Sequence, residues 1–180
     1  MKKSLLKSSM IIPLVMLLCF TFSCQKQVEE GITEEEAKVL LDGLMEIMNE
    51  RNLALVEEIL DPECVLRYPI LPEPLFGHEA LKTLAKNNAI SFPDFNGKID
   101  ELVVKGDKIW CRYTMTGTNT GPFGELPPTG KTFRITGLAI TRVANGKIVE
   151  DETFWNVLDF YQQLGFTLTP PQPPAPQEKE

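Results

Sequence analysis

The sequence predicts an α+β domain in which N-terminal helices cover one face of a curved antiparallel sheet. Three observations lead there. Apolar residues recur at helical spacing in the first half of the 180-residue chain, and the pattern changes to alternation after Phe92-Pro93-Asp94. The alternating runs are separated by residue pairs of the kind that join neighbouring strands. Helices followed by a meander of strands bury their apolar sides against each other most simply as two layers.

Thr33 ahead of Glu34-Glu35-Glu36 has the form of a capping box, and Ala37, Leu40, Leu41, Leu44, Met45 and Met48 follow it at helical spacing. This predicts an amphipathic helix to about Glu50. Asn52 is placed to cap a second, short helix through Leu60, Asp61-Pro62 stops it, and Cys64-Val65-Leu66-Arg67-Tyr68 reads as a short strand. A third helix follows Gly77, carrying Leu81, Leu84 and Ala85. Strand-like runs then span Ile99–Val104, Ile109–Thr116, Phe133–Val143 and Ile148–Phe154, with the tight-turn pairs Asn96-Gly97, Gly106-Asp107 and Asn145-Gly146 among them. A last helix, about Trp155 to Leu164, closes the fold.

The first 23 residues carry Lys2, Lys3 and Lys7, no acid, and an apolar run from Met10 to Phe22. That is the order of a secretory signal, and with Pro13 inside it the run is short for a membrane span. Ser23-Cys24 at its end resembles a bacterial lipobox, which implies removal of residues 1–23 and acylation of Cys24. The expected organisation is a signal over 1–23, a tether over 24–32, the folded domain over 33–168 and a proline-rich, extended tail over 169–180. The expected location is outside the cytoplasm, membrane-anchored through the lipid and facing the periplasm or cell exterior. Soluble secretion is the alternative.

Loss of the first 23 residues would leave 15 basic against 25 acidic residues, a net charge of −10. Such a surface repels nucleic acid, and it leaves the acyl chain as the means of membrane contact. Cys64 and Cys111 remain after Cys19 and Cys24. Among apolar neighbours they read as buried thiols, although export would permit a bond between them. With one histidine and no C-x-x-C pair, neither a metal site nor a cofactor is expected.

Phe92-Pro93-Asp94, the stretch GTNTGPFGELPPTGK from Gly117 to Lys131, Arg142, Gly146-Lys147-Ile148 and Gln163-Leu164-Gly165 together resemble the SnoaL-like polyketide cyclases, or ester cyclases. The match in order and spacing runs from about Thr33 to Gly165. The resemblance implies a cone-shaped fold of the nuclear transport factor 2-like superfamily, with N-terminal helices and a bent sheet around a largely apolar cavity. It implies an intramolecular aldol closure in which an acidic side chain moves protons. Family members often pair, so a homodimer is one option.

The family's Glu-x-Trp, three residues, Asp order reads here as Glu150, Glu152 and Asn156, and its histidine after the Gly-Thr pair reads as Asn119. An amide cannot take the place of the acid, which makes catalysis doubtful on this reading. General acid–base work needs a titratable group, and the candidates are Glu152, on a strand face expected to hold Ile148, Glu150, Glu152 and Phe154, and Asp159, one helical turn beyond Asn156. The plainer readings stand beside these. Glu150-Asp151-Glu152 can be a solvated charge cluster, and Asn156 can simply cap the last helix. Arg112 can reach a cavity or make a cross-strand ion pair. Tyr68, Tyr113 and Trp155 are candidate cavity walls beside Asn156, Asn119 and Arg112.

Two functions are therefore open. One is an exported cup that binds a small apolar molecule. The other is an active cyclase, isomerase or hydrolase on a small enolisable or ester substrate, using Glu152 or Asp159.

Overall fold

The computed structural model describes residues 31–167 and 169. The signal, the candidate lipid site Cys24 and most of the proline-rich tail lie outside the described residues. Helix α1 spans Glu34–Glu50 and opens on the expected capping box: Thr33 Oγ1 accepts from the Glu36 N–H at 3.2 Å, and Glu36 Oε2 accepts from the Thr33 N–H at 2.8 Å. Its buried stripe of Ala37, Leu40, Leu41, Leu44 and Ile47 follows the helical period.

Helix α2 is only Leu55–Ile59, and Ala54 stands at its N-cap without a side-chain bond. Asn52 does not cap it. It lies two residues too early, and its amide donates to Glu46 Oε1 at 2.7 Å, tying the loop back to α1. Strand β1 covers Leu60–Arg67, β2 covers Leu75–Phe76 and helix α3 covers Gly77–Ser91. The remaining elements are β3 (Asn96–Lys105), β4 (Lys108–Thr118), β5 (Thr132–Ala144), β6 (Lys147–Trp155) and helix α4 (Val157–Gln163).

The six strands form one sheet in the order β2-β1-β6-β5-β4-β3. Strands β3 to β6 are an antiparallel meander, and β1 runs parallel to β6. The β5–β6 turn has Asn145 at φ 52° and Gly146 at φ 74°, the left-handed pair that matches the strand twist. Asn96-Gly97, by contrast, makes no turn. Gly97 lies within β3, paired with Met115 and bracketed by Asn49, which accepts the Gly97 N–H at 2.7 Å and donates to its carbonyl at 2.9 Å. A Cβ there would stand 2.9 Å from Met45 Sδ, so α1 approaches the strand closely at this glycine and a larger residue would displace the Met45 side chain.

Two irregularities shape the sheet. One falls at Asp100, between Ile99 and Glu101 of β3. The other lies in β6: Arg142 pairs with Glu150 but Val143 pairs with Ile148, so Val149 is an extra residue. A bulge bends a strand and resets its alternation. Below it Ile148 faces the helices, and above it the inward residues are Asp151, Thr153 and Trp155, opposite Thr141, Ala139 and Gly137 of β5. The expected shared face of Ile148, Glu150, Glu152 and Phe154 is thus broken in the middle.

Between helices and sheet lie an aliphatic cluster built on α1, α3 and β4–β6, and an aromatic one of Phe92, Phe95, Phe133 and Phe160 near α4. Tyr113 lies across β5 at Gly137, where a Cβ would meet the Tyr113 Oη at 2.5 Å and the Phe154 carbonyl oxygen at 2.7 Å. The backbone cannot yield at that point. Gly137→Ala should therefore cost roughly 1–3 kcal/mol, measured as a lowered urea midpoint with an unchanged slope.

Candidate functional site

The helices and the bent sheet line a cavity of about 170 Å³ that is open on one side. Its walls are apolar and aromatic: Leu41, Met45 and Met48 of α1 on one side, Phe92, Phe133, Phe160 and Trp155 towards α4 on another. The aromatic rings meet edge to face, Phe133 and Phe160 with centroids 4.9 Å apart and Phe92 and Phe133 5.1 Å apart, a stiff arrangement favoured by the ring quadrupoles.

A few polar groups break this lining, and sheet register places most of them together. Asp151 is 5 % exposed. Thr153 follows it two residues on, so it faces the same way. Leu66 of β1 pairs with Asp151, which brings Tyr68, two residues further along, beside Thr153. Tyr113 reaches the same place by leaning over Gly137. Asn88 of α3 lines the cavity as well.

Asp151 has one hydrogen bond, donated by the Thr141 hydroxyl to Oδ1 at 2.6 Å. Burial disfavours its charged form, and the single donor only partly offsets that, so its pKa is pushed up to about 6. The same surroundings push both tyrosines up, by burial first and then by the neighbouring Asp151 charge. Cys111, also in the cavity wall, is pushed up to about 12 by burial, which makes it an inert thiol. Cys64 and Cys111 are both buried and unbonded.

Two donors in this lining lack partners. The Tyr113 hydroxyl and the Asn88 Nδ2 are sealed from solvent and unbonded within the protein. Thr153 lies beside the Tyr113 hydroxyl without completing a bond of good geometry.

Of the residues singled out from sequence, Tyr68, Tyr113 and Trp155 line the cavity. The two candidate acids do not. Glu152 is turned to the outer side of the sheet beside Ile140, because the Val149 bulge reversed the face. Asp159 is exposed on α4, where its backbone N–H donates to Asn156 Oδ1 at 3.0 Å and its carboxylate accepts from Gln163 at 2.8 Å. Asn156 is accordingly the N-cap of α4 and not a cavity group.

Asn119 is buried but committed elsewhere. Its Nδ2 donates to the Gly121 carbonyl at 2.8 Å, and its Oδ1 accepts from the Thr129 N–H at 2.9 Å, which pins the loop before β5. Arg112 points outward to Asp100 at 3.3 Å and Glu101 at 3.6 Å, a cross-strand ion pair. The residue that sequence reasoning passed over is Asp151, submerged in the run Glu150-Asp151-Glu152. Among the described residues no three His, Cys, Asp or Glu side chains come together where they could hold a metal ion.

The family model for SnoaL-like polyketide cyclases matches residues 38–164, which includes every cavity-lining residue named above. The chain belongs to that family. No curated protein matches it. Among solved structures, TsrD from Streptomyces laurentii is 24% identical with a TM-score of 0.67, covering 74% of this chain and 98% of its own. IdmH from Streptomyces antibioticus is 28% identical with a TM-score of 0.62 over 72% and 98%. A Catenulispora acidiphila protein with a ketosteroid isomerase-like fold, crystallised with trimethylamine, is 12% identical with a TM-score of 0.62 over 73% and 97%. These likenesses agree with the cup-shaped α+β architecture of this SnoaL-like protein.

The buried acid has a cost with a defined sign. Its folded pKa of about 6 lies above the ordinary carboxyl value of 3.8. Between those values the folded protein holds a proton that the unfolded chain releases, so stability falls as pH rises through the window and stays low above it. The deficit is about 3 kcal/mol at full extent. Asp151→Asn, which still accepts the Thr141 proton, should be more stable than the native protein at pH 8 by up to that amount. At pH 4 the two should be nearly equal. Urea unfolding at the two pH values checks this. For the cap, Asn156→Ala should cost about 1 kcal/mol, while Asn156→Asp, which caps equally well, should change neither stability nor ligand binding.

Proposed function

We propose that this SnoaL-like protein binds a small, mostly apolar carbonyl compound in its cup and moves a proton on it, with Asp151 as the general acid–base. The observation that carries the reading is the placement of Asp151: one carboxyl group, 5 % exposed, inside an apolar cavity, with a single hydroxyl bonded to it. A base works best when its pKa is near the working pH, and at about 6 Asp151 is roughly nine-tenths ionised at pH 7 while retaining basicity that an ordinary carboxylate lacks.

In that role the Asp151 carboxylate takes a proton from the carbon next to the substrate carbonyl. The C–H electron pair moves into the new C=C bond and the carbonyl pair moves to oxygen, giving an enolate. Asp151, now protonated, can return the proton to a different carbon, which is isomerisation. Alternatively the enolate carbon attacks a second carbonyl of the same molecule, and Asp151 protonates the resulting alkoxide, which is an aldol closure. Either course regenerates the carboxylate. The apolar walls support this by excluding bulk water from the enolate. Asn156 and Asn119, which hold a helix end and a loop, leave the chemistry untouched.

The leader sequence and Ser23-Cys24 support display of this cup outside the cytoplasm on a lipid anchor, with secretion as the other outcome. Globomycin sensitivity of processing in a bacterial host separates the two.

The acid–base reading is tested by solvent exchange. The full-length protein in mild detergent should speed deuterium incorporation at the α-carbon of cyclohexanone in D₂O, followed by proton NMR. The rate should rise with pH through about 6 and level off above it. Asp151→Asn should lose about 10²–10⁴-fold. If the native protein binds the ketone but leaves its α-protons in place, the cup is a carrier and the acid–base reading fails.

A further inference from the structure

The two oxygens of the Asp151 carboxyl group stand in different surroundings. Resting on the acid–base reading above, we propose that Thr141 is a positioning residue: by holding Oδ1 it leaves Oδ2 as the one atom of Asp151 through which a proton passes to and from the ligand.

Sheet register sets up the pair. Thr141 of β5 stands directly opposite Asp151 of β6, on the same inner face. Thr141 is fully buried, and its hydroxyl donates to Asp151 Oδ1 at 2.6 Å, a short bond of the kind made to a charged acceptor. A hydroxyl has one proton to give, so this one is committed. Threonine is also stiff at χ1, which keeps the donor aimed.

Oδ2 is placed differently. It has no hydrogen-bond partner among the described residues, yet it is not sealed: the sealed side-chain atoms without a partner there are Asn88 Nδ2 and Tyr113 Oη. An oxygen of a nearly buried residue that is neither bonded nor sealed faces open space. The open space beside Asp151 is the cavity whose wall it forms, so a ligand in the cup meets Oδ2.

The proton chemistry follows from that asymmetry. When Asp151 takes the proton, the ligand C–H bond breaks and an O–H bond forms at Oδ2, while Oδ1 becomes the carbonyl oxygen of the acid. A carbonyl oxygen accepts better than an acid hydroxyl does, so the Thr141 bond is kept and favours the proton on Oδ2. Return of the proton to the ligand reverses both changes. The carboxyl group need not rotate between the two steps, which is the benefit of a base held in place.

The other titratable groups around Asp151 leave this assignment intact. Cys64 of β1, Tyr68 just beyond it, and Cys111 and Tyr113 of β4 all lie near enough to feel its charge. Burial pushes each of them up, so all four stay neutral where Asp151 titrates. The helices present only apolar side chains and Asn88 to the cavity.

Three variants of the full-length protein test the proposal. Thr141→Val keeps the shape and removes the hydroxyl, Thr141→Ser keeps the hydroxyl, and Thr141→Ala replaces the valine form if that does not fold. The first measurement is the carboxyl titration of Asp151 by carbon-13 NMR of aspartate-labelled protein, assigned by its absence in Asp151→Asn. The midpoint should rise by about one to two pH units in Thr141→Val, the size of one hydrogen bond to a charged group, and return to the native value in Thr141→Ser.

The second measurement is α-deuterium exchange of cyclohexanone over a range of ketone concentrations, one pH unit above the higher midpoint, where Asp151 is roughly nine-tenths ionised or more in every form. There Thr141→Val should be about 10- to 100-fold slower at saturating ketone with an unchanged KM, and Thr141→Ser should recover most of the loss. Tuning of basicity alone predicts the opposite, a valine form at least as fast as the native protein.

An unmoved midpoint overturns the hold of Thr141 on the ionised carboxylate. A valine form as fast as native at that pH, or a serine form as slow as valine, overturns the positioning of Oδ2. A native protein that exchanges no α-protons sinks the acid–base reading and proton transfer at Oδ2 with it, while a midpoint moved by valine and restored by serine still places Thr141 on Asp151.

Discussion

One extra residue in β6 decides what the cavity contains. Side chains on a strand alternate strictly, so a single insertion moves everything beyond it to the opposite face. Val149 is that insertion. Without it Ile148 and Glu150 would share the inner side and Asp151 would stand in solvent. With it Glu150 turns out to Arg142, 3.0 Å away, and Asp151, Thr153 and Trp155 turn in. The parallel strand β1 then fits against the reset register and brings Tyr68 to the same spot. The polar patch of the cup is therefore a consequence of one backbone irregularity, held by ladder bonds on both sides.

Keeping a carboxyl group in that position opposes folding, and the rest of the domain must offset it. The aliphatic cluster does so: Leu41, Leu66, Leu81, Ile109 and Ile148 are nearly or fully buried within it, each worth roughly 1.5–3 kcal/mol of burial. The two unpaired donors add to the opposing side. A cavity designed only for stability would fill the space with side chains and carry none of these groups. Among the described residues the buried side-chain atoms without a partner both belong to residues that line the cavity with Asp151, the pattern expected where stability is given up for binding or reaction.

Much of the architecture was legible in the sequence because it rests on local rules. The Thr33 capping box, the stripe on α1, the Asn145-Gly146 turn and the switch from helical to alternating period each depend on residues a few positions apart. What failed depends on partners distant in sequence. Asn96-Gly97 has the composition of a turn, but Asn49 and Met45 of α1 claim the glycine for a close approach. Asp151 was hidden for the same reason. Its face is set by the pairing of β6 with β5 and β1, and no reading of alternation within β6 reveals an extra residue.

The two departures from the family pattern fall at positions that the structure uses to hold a helix end and a loop. At Asn156 the structure uses a side-chain acceptor to cap a helix, and asparagine caps as well as aspartate does. At Asn119 it uses an acceptor and a donor at once to fix a loop, a task that an amide performs on its own. Neither position touches the cavity, so neither replacement removes a proton-transfer group from it. The acid that does lie in the cavity belongs to a position that the family pattern leaves unspecified. On the proposed reading the environment built around Asp151 by the bulge is what equips this cup for chemistry, and the identity of the residues at the more recognisable positions is a statement about the helix and the loop that frame it.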